Sequence, residues 1–362
     1  VVLNMPAYNA PTAETFVPMI SAMAAGNAIV IKPSEHAAKS AKILEEIIHK
    51  ALPENEAYVI QGGVEVAQEL LSLPFNHIYY TGGNAVGKIV MKAAADNFSS
   101  ITLEMGGKSP VIVDETANLE NAAKKVAWGR VMNAGQVCVA PEYVIAHETI
   151  SERFTLLIKE QMESLYNSEN TGFNNSKYVP RIINGRHTKR IKSLIDDALK
   201  KGAQAVLGGG ADLQDRFIEP TILKNMNEKM NIMNEEVFGP VISLLTYKER
   251  SEVIEIIEKR ANPLALYIYS NNKDNISFFL DNTSSGSAVI NNNCIQAGGN
   301  PNLPFGGVGS SGMGRSGGHR GFVEMSNERS VVHQPLDKFR DFMLQFPPYS
   351  DKYVNMITKA IK

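Results

Sequence analysis

Cysteine is scarce in this chain: Cys138 and Cys294 are the only two in 362 residues. Two thiols make no disulfide framework, and a reducing compartment fits such usage. No run of about 18 apolar residues occurs, so no transmembrane helix is expected. Neither sign of charge dominates. Lys and Arg number 36 against 38 Asp and Glu, a formal net charge of −2, which gives no global attraction to nucleic acid or to an acidic membrane. The seven histidines have no metal-ligand spacing, and none is placed as a partner for Cys138. That argues against a metal centre and against a cysteine–histidine protease. Two Asn-X-Ser strings, Asn97-Phe98-Ser99 and Asn275-Ile276-Ser277, read as chance matches without a secretory signal. There is no internal repeat, and no low-complexity tract beyond a glycine cluster at 306–318.

What is present is an ordinary globular composition, 44% hydrophobic and 20% charged, in a chain long enough for two domains around a cleft. The first hundred residues alternate strand and helix. Apolar runs at 28–31, 57–60 and 77–80 predict strands. Ile43, Leu44, Ile47, Ile48 and Leu52 recur at helical spacing over 37–52. Crossover units of this kind build a mainly parallel sheet, whose ligands sit beyond the carboxyl ends of the strands. Lys32, Gly62, Gly82 and Glu104 fall at or just after such ends. Further strands are expected at 111–113, 241–245 and 265–269, helices at 119–132, 186–201 and 251–259, and a long loop through the glycines of 306–318.

Cys138 lies in Asn133-Ala134-Gly135-Gln136-Val137-Cys138-Val139-Ala140-Pro141-Glu142-Tyr143. Small residues and amides precede it, and Gly135 permits close approach of another backbone or a ligand. A reachable thiol with hydrogen-bond donors nearby is what a nucleophile needs. Amides and a helix N-terminus near the sulfur would raise its thiolate fraction. Cys294, after Asn291-Asn292-Asn293, reads as a small buried hydrophobe.

Tyr80-Thr81-Gly82-Gly83-Asn84-Ala85-Val86-Gly87-Lys88 joins a strand to a helix. Its glycines allow a tight turn and a phosphate at the helix N-terminus. It also fits the spacing of a nucleotide-triphosphate loop, but Ile89 stands where that loop needs Ser or Thr for magnesium, which excludes that activity. A plain βα turn remains the alternative to a dinucleotide site. In Lys32-Pro33-Ser34-Glu35, Ser34 can cap a helix and Lys32 can reach ribose hydroxyls or simply be solvated. Glu104, in Leu103-Glu104-Met105-Gly106-Gly107-Lys108, becomes a candidate general base if it shares a cleft with the thiol. Glu236, in Glu236-Val237-Phe238-Gly239-Pro240, is a surface acid unless the fold brings it to a cofactor.

These strings, with Ala25-Gly26-Asn27-Ala28, Gly135-Gln136-Val137-Cys138 and Leu303-Pro304-Phe305-Gly306-Gly307-Val308-Gly309-Ser310-Ser311-Gly312-Met313-Gly314, resemble the aldehyde dehydrogenase superfamily in order and over essentially the whole chain. Val139-Ala140-Pro141-Glu142-Tyr143, Ile183-Asn184-Gly185-Arg186-His187 and Pro263-Leu264-Ala265-Leu266-Tyr267 resemble the class 3 branch, which takes fatty, aromatic and coniferyl aldehydes. The resemblance implies an α/β fold with a Rossmann-type parallel nucleotide-binding domain at 1–105, an α/β catalytic domain at 106–312, and a segment at 313–362 that returns to the nucleotide domain and the dimer interface. It implies Cys138 as nucleophile, Glu104 as general base and Asn9 as the oxyanion amide. Lys32, Ser34, Glu35, Gly82, Gly83, Gly87, Glu236 and Phe238 are the matching contacts for NAD or NADP, and no metal is implied.

The activity so implied is NAD(P)-dependent oxidation of aldehydes to acids through a cysteine thiohemiacetal and thioester. Coenzyme A-acylating chemistry and an inactive or fragmentary relative with a binding or structural role are the alternatives. Where the family usually reads Pro-Trp-Asn-Tyr-Pro, this chain has Ala7-Tyr8-Asn9-Ala10-Pro11, so the amide stays and both large neighbours change. The chain resembles a protein whose N-terminal portion lies upstream, a cytoplasmic homodimer when full length. Phe346-Pro347-Pro348-Tyr349-Ser350 resembles the stretch that precedes a membrane anchor in the fatty aldehyde enzymes.

Overall fold

The structure is a computed structural model that describes residues 1–296, 300–334 and 347–361. Phe346, at the start of the anchor-like string, lies outside the described residues. The described chain divides into a compact unit, Val1–Ser326, and a separate unit from Asn327 onward.

The large unit opens with β1 (Val2–Met5), α1 (Pro11–Ala24), β2 (Ile29–Ile31), α2 (Ala38–Ala51), β3 (Ala57–Val59), α3 (Val64–Leu71), β4 (His77–Gly82), α4 (Asn84–Asp96) and β5 (Ser100–Met105). The alternation predicted from apolar spacing is therefore present, within a residue or two at each end. Strands β5, β4, β1, β2 and β3 lie side by side in that order, all parallel. The order reverses between β1 and β4, which places a crevice at their carboxyl ends. Leu3, Ile29, Ile31 and Ile78, none more than 1% exposed, fill the space between sheet and helices.

The second half contributes β6 (Pro110–Val113), α5 (Leu119–Val131), β7 (Tyr143–His147), α6 (Ser151–Tyr166), α7 (Gly185–Lys200), β8 (Gln204–Leu207), the antiparallel pair β9 (Ala211–Asp212) and β10 (Phe217–Ile218), and β11 (Thr221–Lys224). After these come β12 (Val241–Tyr247), α8 (Arg250–Glu258), β13 (Ala265–Tyr269), α9 (Lys273–Asp281) and β14 (Ser287–Ile290). They form a seven-stranded sheet in the order β14-β13-β6-β7-β12-β11-β8, parallel except where β8 meets β11. Its core strands are apolar on both faces, as a parallel sheet covered by helices requires.

One expectation is overturned. The glycine cluster of 306–318 is not a plain loop. Residues Gly309–Ser311 form a turn of 3-10 helix, and β15 (Gly312–Met313) pairs antiparallel with β5, Gly312 opposite Glu104. Gly312 has φ of 144°, and a Cβ there would collide with the Leu103 carbonyl, so the close strand approach needs glycine. After β15, α10 (Gly318–Glu324) packs on α1, and Asn27 Nδ2 donates to the Met325 carbonyl at 2.9 Å. The second unit carries α11 (Asp351–Ile361), an amphipathic helix. No helix among the described residues is long and apolar enough to cross a membrane.

Candidate active site

A cavity of about 1220 Å³ opens at the carboxyl end of the first sheet and runs to the loop after α5. Asn9, Lys32, Glu104, Cys138, Glu236 and Phe238 all line it, from segments far apart in sequence.

The thiol loop begins where α5 stops. Asn133, Ala134 and Gly135 have φ of 52°, 53° and 72°, a left-handed run that turns the chain back on itself. Only Gly135 can make the tightest contact there, because a Cβ would strike the Gly239 backbone. Hydrogen bonds hold this conformation: Asn133 Nδ2 donates to the carbonyls of Gln136 and Asn9, both at 3.1 Å. The second of these fastens the Asn9 segment to the thiol loop. Gln136 Nε2 donates to the Asn133 carbonyl at 3.0 Å, and its Oε1 accepts from the Ile183 N–H at 2.9 Å.

Below the loop lies a fully buried Arg130. Its guanidinium donates to the carbonyls of Gly135 (3.2 Å), Pro141 (2.9 Å) and Gly239, and to Glu142 Oε2 at 3.1 Å. Glu142 also takes Lys108 Nζ at 3.0 Å and the Val237 N–H at 2.6 Å. Lys108 in turn donates to the carbonyls of Ile232 and Glu235, and Arg190 to those of Glu236 and Val237. Four charged side chains thus fix the strip 232–239, and with it Glu236 and Phe238.

Cys138 is half-buried and packs against the apolar core of the second sheet. The thiol follows the C-terminal end of α5, not a helix N-terminus. Burial raises its pKa well above the usual thiol value; the charges of Glu14, Glu236 and Glu104, in that order, add to this, and one backbone hydrogen bond opposes it. The expected thiolate-promoting surroundings are therefore not what the fold provides, because burial and carboxylates outweigh the amides. Glu104 is 5% exposed, and neither carboxyl oxygen has a hydrogen-bond partner among the described residues. Burial drives its pKa well up; Arg315 opposes this and Glu14 adds to it. Once ionised, a carboxylate so poorly solvated and with no protein donor on either oxygen takes a proton readily.

Lys32 is 5% exposed and pairs with Glu35 at 3.2 Å. Ser34 caps the turn after β2, its Oγ accepting from the His36 N–H. Gly82 ends β4 and Gly83 precedes α4; both line the cavity, and a Cβ on Gly83 would meet nothing within 4 Å. The first turn of α4 has no side-chain cap and no acid, so its amides face the cleft free to bind an anion. Gly87 is not on the cavity wall. It lets α4 pack on β5, where a Cβ would run into Met105 Sδ. Burial lifts Glu236 to about 8, reinforced by Glu142 and opposed by a backbone hydrogen bond from Gly107. The uncapped helix turn, the open face of Gly83 and the buried Lys32 ammonium fit a dinucleotide.

Three residues on the cavity wall have no role in the sequence reading. Tyr8 sits among His36, His187 and Phe238, with ring centroids 6.0, 6.0 and 6.1 Å away. Burial lowers His187 to about 4, so its ring is neutral. Glu14, on α1, accepts the Ala7 N–H at 2.7 Å. No group of three or more metal-ligating side chains occurs among the described residues.

A parallel sheet whose open helix turn fits a dinucleotide shares one cleft with a cysteine loop and a buried glutamate, an arrangement suited to a dinucleotide-dependent oxidoreductase. Comparison with known proteins agrees. The profile described as "Aldehyde dehydrogenase family" matches residues 1–331. Aldehyde dehydrogenase family 3 member A2 of Pongo abelii is 41% identical over 355 residues, 98% of this chain and 71% of that protein. The 4,4'-diaponeurosporen-aldehyde dehydrogenase of Staphylococcus aureus is 38% identical over 352 residues, 97% and 75% of the two. The dimeric NADP-preferring aldehyde dehydrogenase of Rattus norvegicus is 40% identical over 349 residues, 96% and 75%. Among solved structures, the substrate-bound state of Staphylococcus aureus AldH superposes with a TM-score of 0.88 at 37% identity, covering 100% of this chain and 77% of that one. The Mycobacterium tuberculosis aldehyde dehydrogenase complexed with NAD+ gives 0.83 at 28%, covering 92% and 69%. This chain belongs to the aldehyde dehydrogenase family. It is an oxidoreductase acting on aldehydes with NAD or NADP.

Proposed function

We propose that the cleft oxidises aldehydes to carboxylic acids on Cys138, with water as the final acyl acceptor. The observation that carries this reading is that Cys138, Asn9 and Glu104 line one cavity while neither Glu104 oxygen has a hydrogen-bond partner among the described residues. As a thiolate, Cys138 Sγ adds to the aldehyde carbon. The oxygen that becomes an anion is held by the Asn9 amide and the Cys138 N–H, and one such donor is worth about 3–4 kcal/mol. The nicotinamide group, when bound, takes up the hydride. Lys32, Ser34, Glu35, Gly82, Gly83 and Glu236 would hold that cofactor, and Phe238 would bound the nicotinamide side. The acyl group is then a thioester on Cys138. Glu104 takes a proton from water, the oxygen adds to the acyl carbon, and the thiolate leaves.

In this reading residues 1–105 carry the cofactor and 106–312 the thiol chemistry. Substrates are medium- or long-chain aliphatic or aromatic aldehydes, and the full-length protein is a cytoplasmic homodimer; the relatives' names support the aldehyde class and the dimer. The test is Cys138→Ala in the intact chain, with reduced-cofactor absorbance followed against an aldehyde panel and both cofactors. Turnover at the unmodified rate would sink the assignment.

A further inference from the structure

Glu14 has no task in the reaction just described. It stands on the first turn of α1, opened by Pro11, and its half-buried side chain lines the same cavity as Asn9 and Cys138. Of the other lining acids, Glu35 is paired with Lys32, Glu235 is exposed to solvent, Glu236 is held by Gly107, and Glu104 is the base. Glu14 is left over.

One of its oxygens, Oε2, accepts the Ala7 N–H at 2.7 Å, which fixes the carboxyl against the Asn9 segment. No other hydrogen bond or ion pair reaches it among the described residues, so Oε1 is unclaimed by protein. Its surroundings on the wall, Ala13, Val17 and Pro18, are small or apolar. Its charge adds to the upward push on the Cys138 thiol, ahead of Glu236 and Glu104. Burial holds the Glu14 carboxyl at about 7. An acid kept half-desolvated on the wall it shares with Cys138 destabilises the empty site. A ligand group that supplies the missing hydrogen bond removes that cost.

The geometry points to Glu14 as a specificity-determining residue whose free carboxyl oxygen takes a hydrogen-bond donor, a hydroxyl or an ammonium, carried on the chain of the aldehyde. This rests on the reading that Cys138 attacks an aldehyde. It selects, within aldehydes, those with a polar group that a purely apolar wall would reject.

The experiment compares kcat/KM for a chain-length series of ω-hydroxy aldehydes, ω-amino aldehydes and their methyl-terminated counterparts, in the wild-type chain, Glu14→Gln and Glu14→Leu. In the wild type, a polar member is preferred over its methyl counterpart by about tenfold or more. Glu14→Leu reverses that preference, while cofactor binding measured by fluorescence titration stays unchanged and shows that the variant is folded. Glu14→Gln separates the two donors: a hydroxyl keeps most of its advantage against the amide oxygen, and an ammonium loses it with the charge. Equal selectivity in wild type and Glu14→Leu overturns the proposal. Oxidation of no member of any series, by the wild type, instead refutes the parent reading of Cys138.

Discussion

Glu142→Gln tests the buried ion network that holds the strip 232–239. Glu142 is 3% exposed and its two oxygens take Lys108, Arg130 and the Val237 N–H. The substitution keeps shape and removes one negative charge from between two buried cations. Both cations retain carbonyl partners, Gly135, Pro141 and Gly239 for Arg130 and Ile232 and Glu235 for Lys108. What is lost is charge compensation, not every hydrogen bond. Breaking a buried pair costs about 3–5 kcal/mol, and the retained carbonyls put this case at the lower end, about 3 kcal/mol. At the usual unfolding entropy per residue, a chain of 362 residues then melts about 4 °C lower.

The pH dependence supplies a second check. Burial pushes the Glu142 carboxyl up, but Lys108, Arg130 and the Val237 N–H together hold it below its ordinary value of 4.5. A depressed carboxylate stabilises the fold above its unfolded pKa, and the benefit disappears as pH falls through the folded value. The gap between wild type and Glu142→Gln is therefore full at pH 7 and closes below about pH 4. Thermal melts followed by circular dichroism across that range read both numbers. KM for the cofactor rises as well, because Val237 is the neighbour of Glu236. A variant that melts within about 1 °C of wild type at pH 7, or a gap that widens in acid, would refute the reasoning.

Glu104→Gln keeps the side chain's volume and removes the proposed base, so a burst of reduced cofactor survives while steady-state turnover falls about 100-fold or more; rapid-mixing absorbance distinguishes the two phases. Glu14 gives a stability effect of the opposite sign to Glu142. Its folded pKa of about 7 lies above the ordinary 4.5, so the unfolded chain ionises first and stability drops as pH rises between the two values. Glu14→Gln accordingly raises the melting temperature at pH 8, by up to about 3 kcal/mol of stability, and leaves it unchanged at pH 4. Two glycines in one turn part ways: Gly87→Ala destabilises by about 1–3 kcal/mol through its clash with Met105. Gly83→Ala, with φ of −78° and open space, leaves the melt alone and raises KM for the cofactor.

The strands and helices of the first sheet were legible because apolar residues recur with a clean period and a lysine, glycine or acid falls at or just after the ends of β2, β3, β4 and β5. Cys138 and Glu104 stood out in the sequence because their flanking strings are local, and the fold brings both to one cavity. The ion network was not, since Lys108, Arg130 and Glu142 lie on separate elements and meet only in the folded chain. Glu14 was hidden by its position: an acid in the first turn of a helix already has a reason to be there, in the helix dipole. Strand β15 was missed because two residues inside a glycine cluster carry no alternation to read. Gly87 resembled a phosphate glycine, and only the third dimension turns it toward Met105.

Arg130 bonds at once to Gly135, on the thiol loop, and to Gly239, beside the cofactor strip. Those two segments cannot shift independently without stretching a buried guanidinium's bonds. Whatever orders one therefore lowers the entropic cost of ordering the other, and the coupling is reciprocal. If the cofactor tightens an aldehyde mimic at Cys138 by some factor, the mimic must tighten the cofactor by that same factor, with Arg130 as the shared joint.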